Sequence, residues 1–249
     1  TNLVNLLTLE NGETISAMFS VPEEQYDEKH YLFFTTERGI VKRVCLADMT
    51  HIRKTGLRAL SLNEGDRLID VRLTDDTQDM LLITAKGRGI RFHESEVRAM
   101  GRSAVGVKGI ELDEDDRVIG GVRARPEGEV LTITENGFGK RTPVEDYSIH
   151  HRGGKGILAH ALSEATGNIA GCAVVDDDND VLIITAVIIL VLRVSLDPMK
   201  SHVVYIQQIQ QPFPQIRIFC RLFWGTHPIF RPPFDCPALL DGINDIFAV

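Results

Sequence analysis

The chain has 249 residues, 43% of them hydrophobic and 25% charged, with a formal net charge of -8; this is an ordinary globular composition, long enough to bury a full core as one large all-β domain or two smaller ones. The apolar run Val187–Leu192 is broken by Arg193 and falls short of the ~20 residues of a membrane span, and with no initiator Met, basic-then-apolar leader or lipidation motif the expectation is a soluble piece of a longer cytosolic protein. Cys45, Cys172, Cys220 and Cys236 lack any C-x-x-C spacing, which argues against a disulfide framework and a zinc site and for reduced, mostly buried thiols.

In chain order, the opening "VNLLTLENGETISAMFSV" reads as the back half of a repeating unit, so the chain starts inside one. Four segments then align: "FFTTERGIVKR", "LLITAKGRGIRF", "VLTITENGFGKRT" and "VLIITA". Their threonines, Thr36, Thr84, Thr134 and Thr185, are spaced by 48, 50 and 51 residues, and Gly39, Gly87 and Gly137 follow the first three. An apolar or β-branched strand, a short polar turn ending in Gly and a second strand predict a β-hairpin in each copy. A second glycine series, Gly56, Gly106 and Gly156, lies 20 or 22 residues after each threonine, and Arg102 and Arg152 precede their glycines by four. The segments "EGDRLIDVRL", "EDDRVIGGVRA" and "GNIAGCAVV" add further strands. About four short strands per roughly fifty residues make one propeller-type blade. A helical period is absent, except over "ESEVRAM". The fold class is therefore all-β, an incomplete β-pinwheel or propeller-like array of four-stranded blades.

The charge sum conceals a segregation. Acidic residues sit in turn sequences such as Thr74–Asp76, Asp113–Asp116 and Asp176–Asp180, whereas cations gather in "VKR", "IRF", "GKR", "IRK" and "HRGGKG", so a basic face on an acidic body is expected. Each unit repeats a cluster: Lys42, Arg43, Arg53 and Lys54; Arg91, Arg98, Arg102 and Lys108; Lys140, Arg141, Arg152 and Lys155. Such a track contacts phosphates rather than bases, and its binding falls steeply with salt. In "HHRGGKG" the glycines Gly153, Gly154 and Gly156 bare the backbone beside two fixed cations, a pattern suited either to phosphate or to a tight turn.

Other chemistries are disfavoured. "GRSAVGVK" has the glycine spacing of a phosphate loop but offers Val107 where Lys is required. G-x-S-x-G and H-E-x-x-H are both missing, so no catalytic or metal-ligating residues are nominated and His93, His150 and His151 read as surface residues. Tyr26, Tyr31, Tyr147 and Tyr205 lack the basic helical context of a strand-cleaving tyrosine.

The ordered set "GIVKR", "VRAMGRSAVGVKGI", "ENGFGKRTPVEDY" and "HRGGKG", within about Asn2–Ala186, closely resembles the C-terminal DNA-wrapping domain of the DNA gyrase A subunit, a β-pinwheel; the paralogous topoisomerase IV A subunit is a weaker match. The resemblance implies non-sequence-specific binding and wrapping of double-stranded DNA, with no catalysis by this segment, in support of ATP-dependent negative supercoiling by the holoenzyme. It also implies that ATP and Mg act elsewhere in that holoenzyme, that the partners are the gyrase B subunit plus the rest of the A subunit, in an A2B2 assembly with no membrane, and that the setting is the bacterial cytoplasm at the nucleoid. The family's Gln-Arg-Arg-Gly-Gly-Lys/Arg-Gly box of the first blade is missing. "HHRGGKG" is similar to a second copy on a later blade, with His150 and His151 in place of Gln and Arg, which assigns phosphate contacts to Arg152 and Lys155. The competing class is a propeller serving as a protein-interaction scaffold.

The expected organisation is a partial pinwheel over residues 1–186, with blades at about 31–78, 79–127 and 128–178 and the start of another at 179–186. From Val187 to Val249 the composition changes abruptly: no Glu, seven of ten prolines and six of eleven phenylalanines. A change in mid-hairpin is unlike a linker. It suggests a coding disruption near codon 187, a poorly folded, aggregation-prone tail, and one hairpin surviving by chance through Arg193; a proline-rich partner-binding tail is the alternative.

Overall fold

The structure, a computed structural model, describes residues 16–17, 20–50, 56–177, 179–184, 189–193 and 217–221. Three hairpins anchor it: β1 (Tyr31–Thr36) with β2 (Ile40–Cys45), β4 (Asp79–Thr84) with β5 (Arg88–His93), and β8 (Glu129–Thr134) with β9 (Gly139–Pro143). The threonine and glycine columns explain all three turns. Gly39, Gly87 and Gly137 adopt φ of +76°, +89° and +83°, a region costly for a residue with a Cβ. Each donates its N–H to the threonine carbonyl, at 3.1, 3.2 and 2.9 Å. The buried hydroxyls of Thr36, Thr84 and Thr134 accept the N–H groups of Ile40, Arg88 and Phe138 at 3.1, 3.1 and 3.2 Å. The fourth threonine, Thr185, lies outside the described residues.

Each hairpin gains a third strand from the end of its own unit: β3 (Leu68–Thr74) on β1, β7 (Val118–Arg123) on β4, and β11 (Ile169–Val175) on β8. The fourth strand is borrowed. Beside β2 lies β6 (Val107–Lys108), and beside β5 lies β10 (Ile157–Leu158), so each comes from the following unit. The expectation that one fifty-residue unit supplies all four strands is amended accordingly: three are local and one crosses over. A further sheet contains β12 (Asp180–Ile184) between β13 (Ile189–Arg193) and β14 (Arg217–Arg221), so strand pairing continues past Ala186. The rest of the compositionally distinct tail lies outside the described residues, as does the opening half-unit before Ser16.

β3 lies beside β7, and β7 beside β11, which makes β6 and β10 the opposite, outer edges of their sheets. The core fills the spaces between successive sheets. Phe33, Val41, Met80, Leu82, Ile90, Phe92 and Ile110 pack between the first and second, and Leu81, Ile83, Val122, Val130, Tyr147 and Ile169 between the second and third. The stretch with a helical period gives only a 3-10 turn, Glu94–Glu96. Cys45 and Cys172 are free thiols, and among the described residues no helix is long and apolar enough to cross a membrane.

Candidate nucleic-acid interface

The repeated cations separate into two populations. The first belongs to the strands and points inward. Lys42 on β2 has no solvent exposure; its Nζ donates to the carbonyls of Ala59, Arg102 and Ala104, each at 2.8 Å, and burial pulls its pKa down. Arg43, 6% exposed, pairs with Asp76 and with buried Glu94, and lies 4.3 Å over the ring of Tyr31. Arg91, one unit later, pairs with Asp79 at 2.7 Å and donates to the carbonyls of Val144 and Tyr147. Arg141, one unit further, pairs with Glu129 and Asp177. Placing Lys42 and Arg43 on an outer basic track is thus corrected: both are buried, and their charges are used in holding units together. Arg53 and Lys54 lie outside the described residues.

The second population is exposed, and apart from Lys140 it lies on the crossover segments. Arg98, Arg102 and Lys108 are exposed, and no described residue forms an ion pair with them. Lys140 is exposed on β9 and donates to the Ala159 carbonyl at 3.3 Å. Lys155 is exposed but held by Asp113 at 3.0 Å. That contact, the Lys155 hydrogen bond foremost, lowers the Asp113 pKa. Arg58, which the sequence reading missed, is also exposed without an ion pair among the described residues. The signal was available, because Arg58 follows Gly56 by two residues just as Lys108 follows Gly106.

"HHRGGKG" is first of all a clamp between units. Arg152 donates from Nε to the Glu96 carbonyl and from a terminal nitrogen to the Lys108 carbonyl, both at 3.0 Å, while its backbone N–H meets the Glu96 carboxylate. Gly153 donates to the Gly109 carbonyl at 2.6 Å, and the Gly154 carbonyl accepts from Glu111 at 2.8 Å. Gly156 has φ +67°, and a Cβ there would come within 2.8 Å of the Gly89 carbonyl carbon. Gly106 repeats this arrangement, with φ +119° and a Cβ position 2.5 Å from the Val41 carbonyl oxygen. The glycines therefore let the crossover approach the neighbouring strand. His151 remains almost fully exposed, 3.4 Å from Glu96.

The second population lines the outer edges, where an extended polyanion could follow successive sheets, and nothing in its arrangement suggests base-edge readout. Comparisons with known proteins agree with this architecture. A profile of the DNA gyrase C-terminal domain, beta-propeller, matches residues 30–75, 78–124 and 128–176, close to the observed repeats. The chain is 45% identical over 185 residues to the DNA gyrase A subunit of Staphylococcus epidermidis, and equally so to that of Staphylococcus aureus, covering 74% of this chain and 21% of each relative. It thus spans about a fifth of the length of these curated relatives. Among solved structures, the C-terminal domain of DNA topoisomerase IV superposes with a TM-score of 0.71 at 26% identity, covering 77% of this chain and 60% of that one. The DNA gyrase A C-terminal domain gives 0.65 at 24%, covering 74% and 61%, a likeness of fold. From the repeats, the crossovers and the profile match together, the chain belongs to the DNA gyrase C-terminal domain β-propeller family.

Proposed function

We propose that the chain binds double-stranded DNA without sequence preference along the outer sheet edges and bends it, as the C-terminal part of a gyrase A subunit supporting negative supercoiling. The observation that carries this reading is the exposure of Arg98, Arg102 and Lys108 on one crossover without internal ion pairs, at the edge opposite the inner strands. Lys155 joins them when Asp113 yields to a phosphate. Arg152 acts mainly by holding that crossover in place. Bending a 20–30 bp site costs on the order of 1–6 kcal/mol, so several phosphate contacts must form together.

On this reading the chain works in the bacterial cytoplasm with a gyrase B subunit, plus the rest of the A subunit, in an A2B2 assembly. It contributes no catalytic group, and ATP and Mg act elsewhere in that assembly. A second reading, the corresponding part of topoisomerase IV, is favoured by the higher structural similarity, 0.71 against 0.65. Plasmid relaxation and religation in the presence of the full chain tests the proposal: a shifted linking-number distribution at low salt supports wrapping. Salt-sensitive binding with an unshifted distribution reduces the function to grip alone. Absence of salt-sensitive binding leaves the protein-scaffold reading in its place.

A further inference from the structure

The third sheet differs from its two predecessors. β2 and β5 are each flanked by a borrowed strand, but among the described residues no strand pairs with the outer edge of β9. The consequences extend along that edge. Gly139 and Lys140 are exposed, whereas Val41 and Gly89, and Lys42 and Ile90, at the matching positions are buried; Phe138 is exposed where Ile40 and Arg88 are half-buried. The buried Lys42 ammonium has three carbonyl acceptors, two of them from the crossover of the next unit; Lys140 retains only the local one, Ala159. Arg91 reaches two carbonyls of the next unit, while Arg141 bonds only to the carboxylates of Glu129 and Asp177 among the described residues. The carbonyls of Gly39 and Gly87 accept N–H groups from Gly109 and Ala159, and those of Arg43 and Arg91 accept from Met100 and His150. No described residue fills the corresponding role for Gly137 or Arg141.

The chain's own next unit is a poor fit. In the two crossovers that complete a neighbouring sheet, the glycine stands thirteen residues after the end of the preceding strand, Gly106 after β5 and Gly156 after β9. Thirteen residues after β13 ends at Arg193 stands Ile206. Both glycines have positive φ and no room for a Cβ against the strand they cross, so a β-branched residue is excluded from that register.

We propose that the β9 edge is a strand-docking site for a separate polypeptide: the extended crossover segment of an intact repeat of this type, with glycine at the crossing point. The partner would add backbone hydrogen bonds at the Gly137 and Arg141 carbonyls, supply two carbonyls to Lys140 and cover Phe138. This is strand addition to an exposed edge, and it does not depend on DNA.

The test uses the full 249-residue chain and a labelled peptide of this protein's own crossover, Arg102–Leu112, read by fluorescence anisotropy and by amide exchange along β9. The expected result is saturable binding that protects the β9 amides. Replacing Gly106→Ile in the peptide should weaken it at least tenfold, and Lys140→Met in the chain should weaken it severalfold without unfolding an exposed position. Absence of binding, or equal binding of the Gly106→Ile peptide, overturns the proposal. So does protection of the β9 amides in the chain alone that the peptide leaves unchanged, since the chain's own residues would then cover the edge.

Discussion

Lys42→Met separates a buried strut from a DNA-contacting cation. The methionine keeps the apolar stem but removes three donors whose acceptors, the carbonyls of Ala59, Arg102 and Ala104, all lie at 2.8 Å. Two of these acceptors belong to the crossover that completes the first sheet, so the substitution loosens the junction between units. An unsatisfied buried acceptor costs about 1–3 kcal/mol; with partial relaxation and water entry we expect a total loss of about 3–5 kcal/mol, at the upper end for single substitutions. Lys140→Met, which removes one 3.3 Å bond at an exposed position, should cost under about 1 kcal/mol. Urea denaturation of both variants measures the difference. Among molecules that remain folded, the salt dependence of DNA binding should be unchanged by Lys42→Met. If Lys42→Met is as stable as the parent and flattens the salt slope, the reasoning fails and Lys42 belongs to the contact surface.

Gly156→Ala should destabilise by about 3 kcal/mol or more, because it combines positive φ with backbone overlap, whereas Gly154→Ala, whose Cβ would meet nothing closer than 3.8 Å, should stay within about 0.5 kcal/mol; equal effects in denaturation would contradict the clamp geometry. His160 is buried, its ring nitrogen lies 2.9 Å from the Thr132 hydroxyl, and burial, with Lys140 adding to it, lowers its pKa below 6.5. The unfolded chain therefore binds the proton more readily, so this contribution to stability is present above pH 6.5, falls as the pH drops through that value and levels off below the folded pKa. His160→Gln should flatten that part of the stability–pH curve, and an unaltered curve would refute the assignment. Burial pushes the Cys172 thiol up to about 12, so it should resist thiol reagents until the protein unfolds; rapid labelling of native protein would contradict this.

The hairpins were legible in the sequence because their determinants are local. A threonine hydroxyl and a positive-φ glycine act within five residues of each other, and their spacing repeats. The cations were harder to place, since Lys42 and Lys108 look alike in sequence and differ only in what lies across from them. The acceptors of Lys42 come from residues 17, 60 and 62 positions away, a relation that no short window contains. The borrowed strands are similarly remote: Ile40 pairs with Lys108 and Gly89 with Ile157. The second glycine series marked where they cross, although its function, close backbone approach, emerged only from the geometry. The acidic turn Asp113–Asp116 also has internal work, since Asp116 accepts the backbone N–H of Lys86 at a hairpin tip, as Asp66 accepts that of Arg38.

The central claim is that exposed crossover cations, and not the strand cations, grip DNA. The measurement that tests it most directly is the slope of log affinity against log salt for a short duplex, comparing the parent with Arg98→Ala/Arg102→Ala/Lys108→Ala. If all three contact phosphates, the slope should become shallower by about 2.7, at about 0.9 per phosphate contact, with the urea midpoint unchanged. A slope equal to the parent's in a folded variant would contradict the account.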